Sequence, residues 1–254
     1  MGSLHKGHLS LIRQSKKICE VTIVSIFVNP TQFGPLEDFK KYPRNLETDS
    51  KLLENDGVDY LFIPSVEEIY PKKFQTFVSV ENITKKLEGE FRPTHFRGVT
   101  TVVLILFNCV QPDFAFFGQK DAQQLSVIKR MVIDLKLNIE IKSCPIIREP
   151  DGLAMSSRNI YLSASEREEA LVLYRSLNLA GEMLSSGETK TKIILSEMKE
   201  LYSKIKSANI DYIEIVDSNT FEIVDELSKG MDYFVLVACK IGNTRLIDNI
   251  LVTA

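Results

Sequence analysis

Apolar residues along the first part of the chain recur in two patterns that alternate with each other. The segment from Leu9 to Ile18 has apolar residues at helical spacing, so it predicts a helix close to the N-terminus. The next run, Val21 to Val28, is rich in β-branched residues without strict alternation, which is typical of a strand buried on both faces of a parallel sheet. The same patterns predict strands over 60–63, 77–80, 114–117 and 139–144, and helices over 36–56, 99–110 and from about 121 to 135. Strands that alternate with helices favour right-handed βαβ units, and we predict an α/β fold with a Rossmann-like, doubly wound parallel sheet over residues 1–146.

A different order of elements begins near Ser163. Two long helical patterns come first, and three strand patterns follow them without intervening helices. The helices are predicted over 163–185 and 190–207, and the strands over 212–216, 233–239 and 244–252, the last two joined by a hairpin at 240–243. This order predicts a smaller α+β domain over residues 147–254.

Composition narrows the class of protein. The chain has 254 residues, enough for one large or two unequal domains, and a formal net charge of −3, which gives no electrostatic footprint for nucleic acid or an anionic membrane. The sequence has no apolar run of membrane-spanning length and no cationic leader pattern, so we expect a cytoplasmic protein with no membrane partner. The cysteines are far apart and lack metal-ligand spacing, and we expect reduced thiols that fill the core at Cys19, Cys109, Cys144 and Cys239.

Two of the three histidines, His5 and His8, lie directly before the first predicted helix. Ser3 is the predicted N-cap of that helix, and Gly7 permits close backbone approach. A helix N-terminus presents N–H groups and the positive end of the helix dipole, so two imidazole donors would complete a site for a phosphate. The alternative for so short a motif is a pair of exposed histidines near the chain start.

Polar residues also follow the predicted strands, at the sheet edge where α/β folds bind ligands. Lys120 is placed to neutralise a phosphate as a point charge. Asp121 and Gln124 have the spacing of a capping box, and the alternative is that Asp121 accepts hydrogen bonds from ribose hydroxyls. Two amides follow an earlier strand, Asn29 and Gln32.

The connection between the two predicted domains carries Ser156, Ser157 and Arg158 in succession. Two hydroxyls and a guanidinium can donate to the oxygens of a triphosphate, and the arginine fork can reach two of them. The alternative for this segment is a solvated interdomain loop.

Five motifs follow one another along the chain: Met1-Gly2 with His5-x-Gly7-His8, IFVNPTQFG at 26–34, HFRGV at 95–99, FGQKDAQQ at 117–124 and DGLAMSSRN at 151–159. Together and in this order they resemble the pantoate–β-alanine ligase (pantothenate synthetase) family. The His-x-Gly-His element alone marks only the wider nucleotidylyltransferase group, and the Met-Ser-Ser-Arg loop resembles the second signature of that group. The resemblance is strongest up to about residue 165, and the C-terminal third fits the family's small lid domain.

The resemblance implies a two-step reaction. Pantoate attacks the α-phosphate of ATP to give pantoyl adenylate and pyrophosphate, and β-alanine then displaces AMP. It also implies that Mg²⁺ accompanies the ATP, that the subunits form homodimers, and it identifies no metal ligand from the protein. The residues implied to be catalytic, by holding the phosphates, are His5, His8, Lys120, Ser156, Ser157 and Arg158. The same residues and Met1, Gly2, Gly118, Asp121, Ile147 and Met155 are implied to bind ATP. The residues implied to bind substrate are Asn29, Gln32, His95 and Gln124, with pantoate hydrogen-bonded to Gln32 and Gln124.

One departure from the family pattern concerns the start of the sequence. In the family a buried strand and a Val-Pro-Thr-like turn precede the motif that here begins at Met1, so we expect a central strand of the sheet to be absent. Two rival functions remain open. One is another nucleotidylyltransferase that uses the same His-x-Gly-His site to transfer AMP to a phosphate, and the other is a nucleotide-binding relic impaired by the absent strand. Gln32 and Gln124 argue against the first, because a pocket for a small hydroxy acid needs amides more than extra cations.

Overall fold

A computed structural model describes residues 2–34, 39 and 41–254 of the chain. The chain divides into two compact units. The first unit comprises residues 1–119 and 123–145, and the second comprises residues 120–122 and 146–254. The short segment 120–122 therefore groups with the C-terminal part of the chain, although its neighbours on both sides belong to the first unit.

Up to residue 145 the described chain alternates helices with short strands. In order they are α1 (Lys6–Ile18), β1 (Ile23–Ser25), α2 (Leu46–Asn55), β2 (Tyr60–Phe62), α3 (Val66–Ile69), α4 (Glu88–Phe91), α5 (His95–Val110), β3 (Phe114–Gly118), α6 (Ala122–Asp134) and β4 (Glu140–Cys144). Two 3-10 turns, Pro30–Gln32 and Gln119–Asp121, lie after β1 and β3.

The strands pair in parallel, as the sequence pattern predicts. β1 pairs with β2 and β3 pairs with β4, and each pair is connected through helical segments, which makes each a parallel βαβ arrangement. Among the described strands, these two pairs are separate two-stranded sheets and do not form one continuous ladder. The α/β class with parallel strands is confirmed.

Apolar clusters among the described residues hold this unit together. One joins α1, β1 and α2, and another joins α5 and α6 with the partly buried apolar residues of β3 and β4. Their fully or nearly buried members are Leu9, Ile12, Val24, Ile26 and Leu53 in the first, and Val99, Phe107, Ile128, Met131 and Val132 in the second. Leu9 and Ile12 belong to the apolar face that the helical spacing predicted for α1.

The strand predicted over 77–80 is wrong, and the contacts of Val78 show why. The hydroxyl of Thr100 donates to the Val78 carbonyl at 2.7 Å, and the Val78 N–H donates to the hydroxyl of Thr101 at 3.0 Å. Helix α5 therefore satisfies the N–H and C=O groups of Val78, and no neighbouring strand is needed to do so.

Other elements occur where they were predicted but with different ends. β1 covers only three residues of the predicted strand at 21–28, and α5 begins four residues before the predicted start at 99. α2 begins at Leu46 behind an Asn45 cap, whereas the sequence pattern suggested a start near 36; residues 35–38 and 40 lie outside the described residues. At α2 a strong local cap decided the helix start over apolar spacing.

The second unit is an α+β arrangement, as predicted. Its elements are α7 (Ala164–Glu169), α8 (Leu171–Ser185), α9 (Thr191–Ser203), β5 (Ala208–Asp217), β6 (Asp232–Ile241) and β7 (Thr244–Thr253). The helix predicted over 163–185 is two helices that meet at Ala170. The strands form an antiparallel sheet in the order β5-β6-β7, and Gly242, at φ +56°, lies in the two-residue hairpin loop between β6 and β7.

The four cysteines differ in burial, and Cys19 is only partly buried. Cys144 and Cys239 are buried, and burial raises the pKa of both thiols, that of Cys239 to about 12. The expectation of core thiols is confirmed for this pair. It is wrong for Cys109, which is exposed.

The lengths and hydropathies of the helices bear on membrane insertion. No helix among the described residues is both long and apolar enough to cross a membrane.

Candidate active site

The two N-terminal histidines form the cap of helix α1. His5 is the N-cap residue, and its Nδ1 accepts the Gly7 N–H at 3.1 Å. His8 lies at the third helical position, and its Nδ1 accepts the His5 N–H at 3.3 Å, which completes a reciprocal capping box. A ring nitrogen that accepts a hydrogen bond carries no proton, so each neutral imidazole has its proton on Nε2. The cap therefore makes both Nε2–H groups donors at the N-terminus of α1.

The predicted cap at Ser3 is wrong, because Ser3 lies before the helix in a left-handed conformation with φ +52°. The carboxylate of Asp49, on α2, holds this segment by accepting the N–H groups of Ser3 and Leu4 at 2.9 and 2.8 Å. Asp49 is only 3% exposed. Gly2 is buried beside this segment, and Met1 lies outside the described residues.

Asn29 and Gln32 meet at the turn that follows β1. Asn29 is buried, and its Nδ2 donates to Oε1 of Gln32 at 2.9 Å and to the Gly98 carbonyl at 3.0 Å. A Cβ at Gly98 would lie 2.5 Å from the Thr31 carbonyl oxygen, so only glycine allows α5 to approach the turn this closely. The structure thus brings together Asn29 and Gln32, which the family resemblance assigned to the substrate site.

His95, the first residue of α5, contacts the same turn. Its Nδ1 lies 3.0 Å from the Gln32 carbonyl oxygen and must donate to it, because a carbonyl can only accept. Its Nε2 lies 3.2 Å from Nη1 of Arg92, so the second ring nitrogen accepts from a guanidinium. His95 is 9% exposed, and these contacts support the backbone of Gln32.

The remaining amide, Gln124, is half-buried on α6. Its neighbour Gln123 is buried and has a different role, because its amide donates to the carbonyls of Ile83 and Lys86 and accepts the Glu88 N–H. The family resemblance assigned only Gln124 to the substrate, and the structure gives Gln123 this structural role.

Gly118, assigned to ATP, ends strand β3. A Cβ at Gly118 would have no heavy atom within 4 Å, so the backbone at this end of the strand borders open space. Open backbone at the carboxyl end of a parallel strand is where ligands of α/β folds bind.

In the second unit, the turn that contains Lys120 is anchored to strand β7. Nδ2 of Asn249 donates to the Lys120 carbonyl at 3.0 Å. The adjacent Asp248 is buried and accepts two hydrogen bonds from Arg148, at 2.6 and 3.0 Å. Burial raises the pKa of Asp248, and the bonds from Arg148 act in the opposite direction. Lys120 is half-buried and Asp121 is exposed, so β7 fixes the backbone while both side chains retain access to solvent.

The segment from Ile147 to Met155 folds back on itself. The Met155 N–H donates to the Ile147 carbonyl at 2.9 Å, which makes these two residues, both assigned to ATP, direct neighbours. Ser156 then caps a 3-10 helix over 157–161 by accepting the Arg158 N–H at 3.2 Å. The backbone thus gathers the hydroxyls of Ser156 and Ser157 and the Arg158 guanidinium in one half-buried turn.

Gly152 makes this fold-back possible, and its replacement by alanine is expected to destabilise the protein by about 2 to 5 kcal/mol. It has φ +100°, and an added Cβ would lie 2.1 Å from the ring of Tyr174. Gly187 is the matched control, because it has φ +94° but open space around it, so Gly187→Ala should cost only the conformational part, about 1 to 2 kcal/mol. Urea unfolding of the two variants measures both values, and equal losses would show that the Tyr174 contact relaxes.

Comparison with known proteins identifies the family to which this chain belongs. A family model described as pantoate–β-alanine ligase matches residues 1–251. The chain belongs to the pantoate–β-alanine ligase family. Membership confirms the enzyme class predicted from the five motifs and decides against the rival nucleotidylyltransferase.

Individual relatives agree with the family model. The pantothenate synthetase of Caldicellulosiruptor bescii is 57% identical over 254 residues, which span 100% of this chain and 89% of that relative. A crystal structure of pantothenate synthetase from Thermus thermophilus has a TM-score of 0.94 at 45% identity, covering 98% of this chain and 90% of that one. The pantoate–β-alanine ligase of Francisella tularensis, solved in complex with beta-gamma ATP and β-alanine, has a TM-score of 0.78 at 37% identity and covers 99% of this chain and 87% of that one. These likenesses confirm the α/β fold.

Proposed function

We propose that this chain joins pantoate to β-alanine in an ATP-dependent reaction that passes through pantoyl adenylate. Family membership and a structural relative solved with beta-gamma ATP and β-alanine support the reaction class. The observation that carries the mechanism is the reciprocal cap of His5 and His8, which makes two imidazole Nε2–H groups donors at the N-terminus of α1.

In the first step, the carboxylate of pantoate attacks the α-phosphate, and pyrophosphate leaves. Such a displacement needs alignment and charge stabilisation more than a protein nucleophile. His5 and His8 supply donors in the field of the helix dipole, and we assign them to the phosphates. We also assign to the phosphates the Lys120 ammonium and the donors of Ser156, Ser157 and Arg158.

We assign the pantoate subsite to the first unit. Oε1 of Gln32 already accepts from Asn29, so the Gln32 amide has its NH₂ group available as the end that donates to substrate oxygens. Gln124 supplies a second amide, and His95 supports the turn through the Gln32 carbonyl. The remaining ATP contacts are assigned by family resemblance to Met1, Gly2, Gly118, Asp121, Ile147 and Met155.

We propose that Mg²⁺ enters with ATP. Among residues 2–34, 39 and 41–254 no group of three or more His, Cys, Asp or Glu side chains is placed to hold a metal ion. Mg²⁺ commonly keeps several waters and binds through nucleotide phosphates, so it does not require such a group. When bound, the ion would neutralise phosphate charge during displacement.

Three further expectations stay predictions. They are a homodimer, a cytoplasmic location and a lid role for the second unit. Light scattering after gel filtration tests the first of them directly.

The reaction itself is tested by its products. With ATP, Mg²⁺, pantoate and β-alanine, the chain should form pantothenate, AMP and pyrophosphate in equal amounts. Pantoate labelled with ¹⁸O in its carboxylate should transfer one ¹⁸O to AMP, because the attacking oxygen stays on phosphorus when β-alanine displaces AMP. ADP with inorganic phosphate would instead indicate an acyl-phosphate route and refute the proposal.

Gln32→Ala is expected to raise the KM for pantoate by about 10- to 100-fold, because substrate oxygens lose a donor in a polar pocket. The KM for ATP should change by less than about threefold, and Gln124→Ala should act in the same direction. Gln75→Ala is the matched control, since Gln75 is an exposed glutamine of the same unit. Steady-state kinetics with each substrate varied in turn gives the answer, and an equal rise in the KM for ATP would contradict the assignment.

A further inference from the structure

The side-chain oxygen of Asn29 is fixed by three donors that converge on it. The hydroxyl of Tyr70 donates to Oδ1 at 2.8 Å, the hydroxyl of Thr31 at 2.9 Å, and the Thr31 N–H at 3.3 Å. Asn29 is 3% exposed, so water does not compete freely for this atom. The two hydroxyls lie 3.1 Å apart, and because each has one proton, they cannot bond to each other while both donate to Oδ1. The Thr31 N–H can only donate, so the atom that it contacts must be the oxygen of the amide and not its nitrogen.

The orientation of the Asn29 amide determines the orientation of the Gln32 amide. With its oxygen fixed, Asn29 must direct Nδ2 the other way, where the two N–H groups donate to Oε1 of Gln32 at 2.9 Å and to the Gly98 carbonyl at 3.0 Å. The oxygen of the Gln32 amide is thereby turned toward Asn29. The NH₂ group of Gln32 is then the end directed away from Asn29.

The backbone of Gln32 is held from a second direction. Nδ1 of His95 lies 3.0 Å from the Gln32 carbonyl oxygen, and Nη2 of Arg92 lies 3.4 Å from it. These contacts hold the backbone of Gln32, so its amide can change orientation only through the side-chain torsions, including a flip about the last one. The bond from Asn29 opposes that flip, because a flipped Gln32 would set NH₂ against NH₂.

Tyr70 is the C-cap residue of α3, and only its hydroxyl takes part in these hydrogen bonds. Its ring packs against Phe74 and Phe27, with centroid distances of 5.1 and 6.4 Å, so the ring has its own apolar environment. Burial raises the pKa of the Tyr70 phenol, so the hydroxyl keeps its proton and stays a donor at neutral and moderately alkaline pH.

We propose that Tyr70 is a positioning residue for acid-substrate specificity: through Asn29 it fixes the Gln32 amide so that NH₂ faces the substrate. The site then favours a ligand that presents acceptor oxygens, such as a carboxylate or hydroxyl oxygen, and disfavours an analogue that presents an ammonium group there. This inference rests on the proposed assignment of Gln32 to the pantoate subsite.

The test compares Tyr70→Phe with Tyr60→Phe, a control at an exposed tyrosine of the same unit. Tyr70→Phe keeps the ring contacts and removes one donor, so we expect the KM for pantoate to rise about 5- to 20-fold. The KM values for ATP and β-alanine should change less than about twofold. Asn29→Asp, which keeps the acceptor but removes the donor to Gln32, should raise the KM for pantoate at least as much.

A double variant separates positioning from general structure. If Tyr70 acts through Gln32, Tyr70→Phe should add less than about twofold to the KM for pantoate in a Gln32→Ala background. Full multiplication of the two effects, or a parallel rise in the KM for ATP, would overturn the inference. So would an unchanged KM in Tyr70→Phe when Gln32→Ala raises it, and that result would leave the proposed function intact. An unchanged KM in Gln32→Ala itself would refute the assignment of the subsite and the inference with it.

Discussion

Replacing His8 with alanine is expected to slow formation of the acyl adenylate by about 100- to 1000-fold, the usual effect of removing one transition-state donor. The reason lies in the cap geometry. Nδ1 of His8 is used to accept the His5 N–H, so its proton resides on Nε2, where it can donate to charge that develops on the phosphates. Rapid-quench measurement of pyrophosphate release in a single turnover reports this step directly.

The cap and the chemistry of His8 can be separated. His8→Ala also removes half of the capping box and should cost about 1 kcal/mol of stability. His8→Gln is the matched variant, because glutamine at the third helical position can make the same reciprocal bond while it lacks the imidazole. We expect the His8→Gln variant to retain the melting temperature of the unmodified protein but to form the acyl adenylate slowly. Near-normal pyrophosphate release in either folded variant would show that His8 serves only as a cap.

Replacing Lys120 with alanine is expected to have an effect of similar size, about 100- to 1000-fold on the same step. The ammonium is assigned to neutralise phosphate charge, and the anchor of its turn survives the change, since Asn249 binds the backbone carbonyl of Lys120 and not its side chain. The melting temperature should therefore change little.

Two further variants sharpen the Lys120 test. Lys129→Ala removes an exposed lysine from α6 and should leave the rate unchanged. Asn249→Leu keeps the Lys120 ammonium but removes the donor that anchors its turn. We expect its rate of pyrophosphate release to lie between those of Lys120→Ala and Lys129→Ala. If Lys120→Ala releases pyrophosphate as fast as Lys129→Ala does, the phosphate assignment of Lys120 is wrong.

Local sequence patterns were sufficient to predict the type of several secondary-structure elements. The periodicity of Leu9 and Ile12 marks the buried face of α1, and the β-branched run after it contains β1. The hairpin between β6 and β7 follows from Gly242 and its neighbour, because a two-residue turn needs positive φ. Each of these features is decided by residues within a few positions of one another.

Local patterns failed where a distant group completed the hydrogen bonds. The segment around Val78 has the apolar composition of a strand, yet hydroxyls of α5 bind the backbone of Val78 from 22 and 23 residues away. Ser3 has the chemistry of an N-cap, yet Asp49 binds the backbone there from 46 residues away and the helix begins at a histidine cap.

The sequence by itself determined the fold class, the family and the kinds of chemical group in the candidate site. Helix periodicity, caps and short motifs are local, and their chemistry is fixed by residue type. Only the tertiary structure decided how those groups are held: Tyr70 contacts Asn29 across 41 residues, and Asn249 contacts Lys120 across 129. No spacing rule connects such pairs, because which buried donor meets which acceptor depends on how helices and strands pack, and that packing is settled by the whole core.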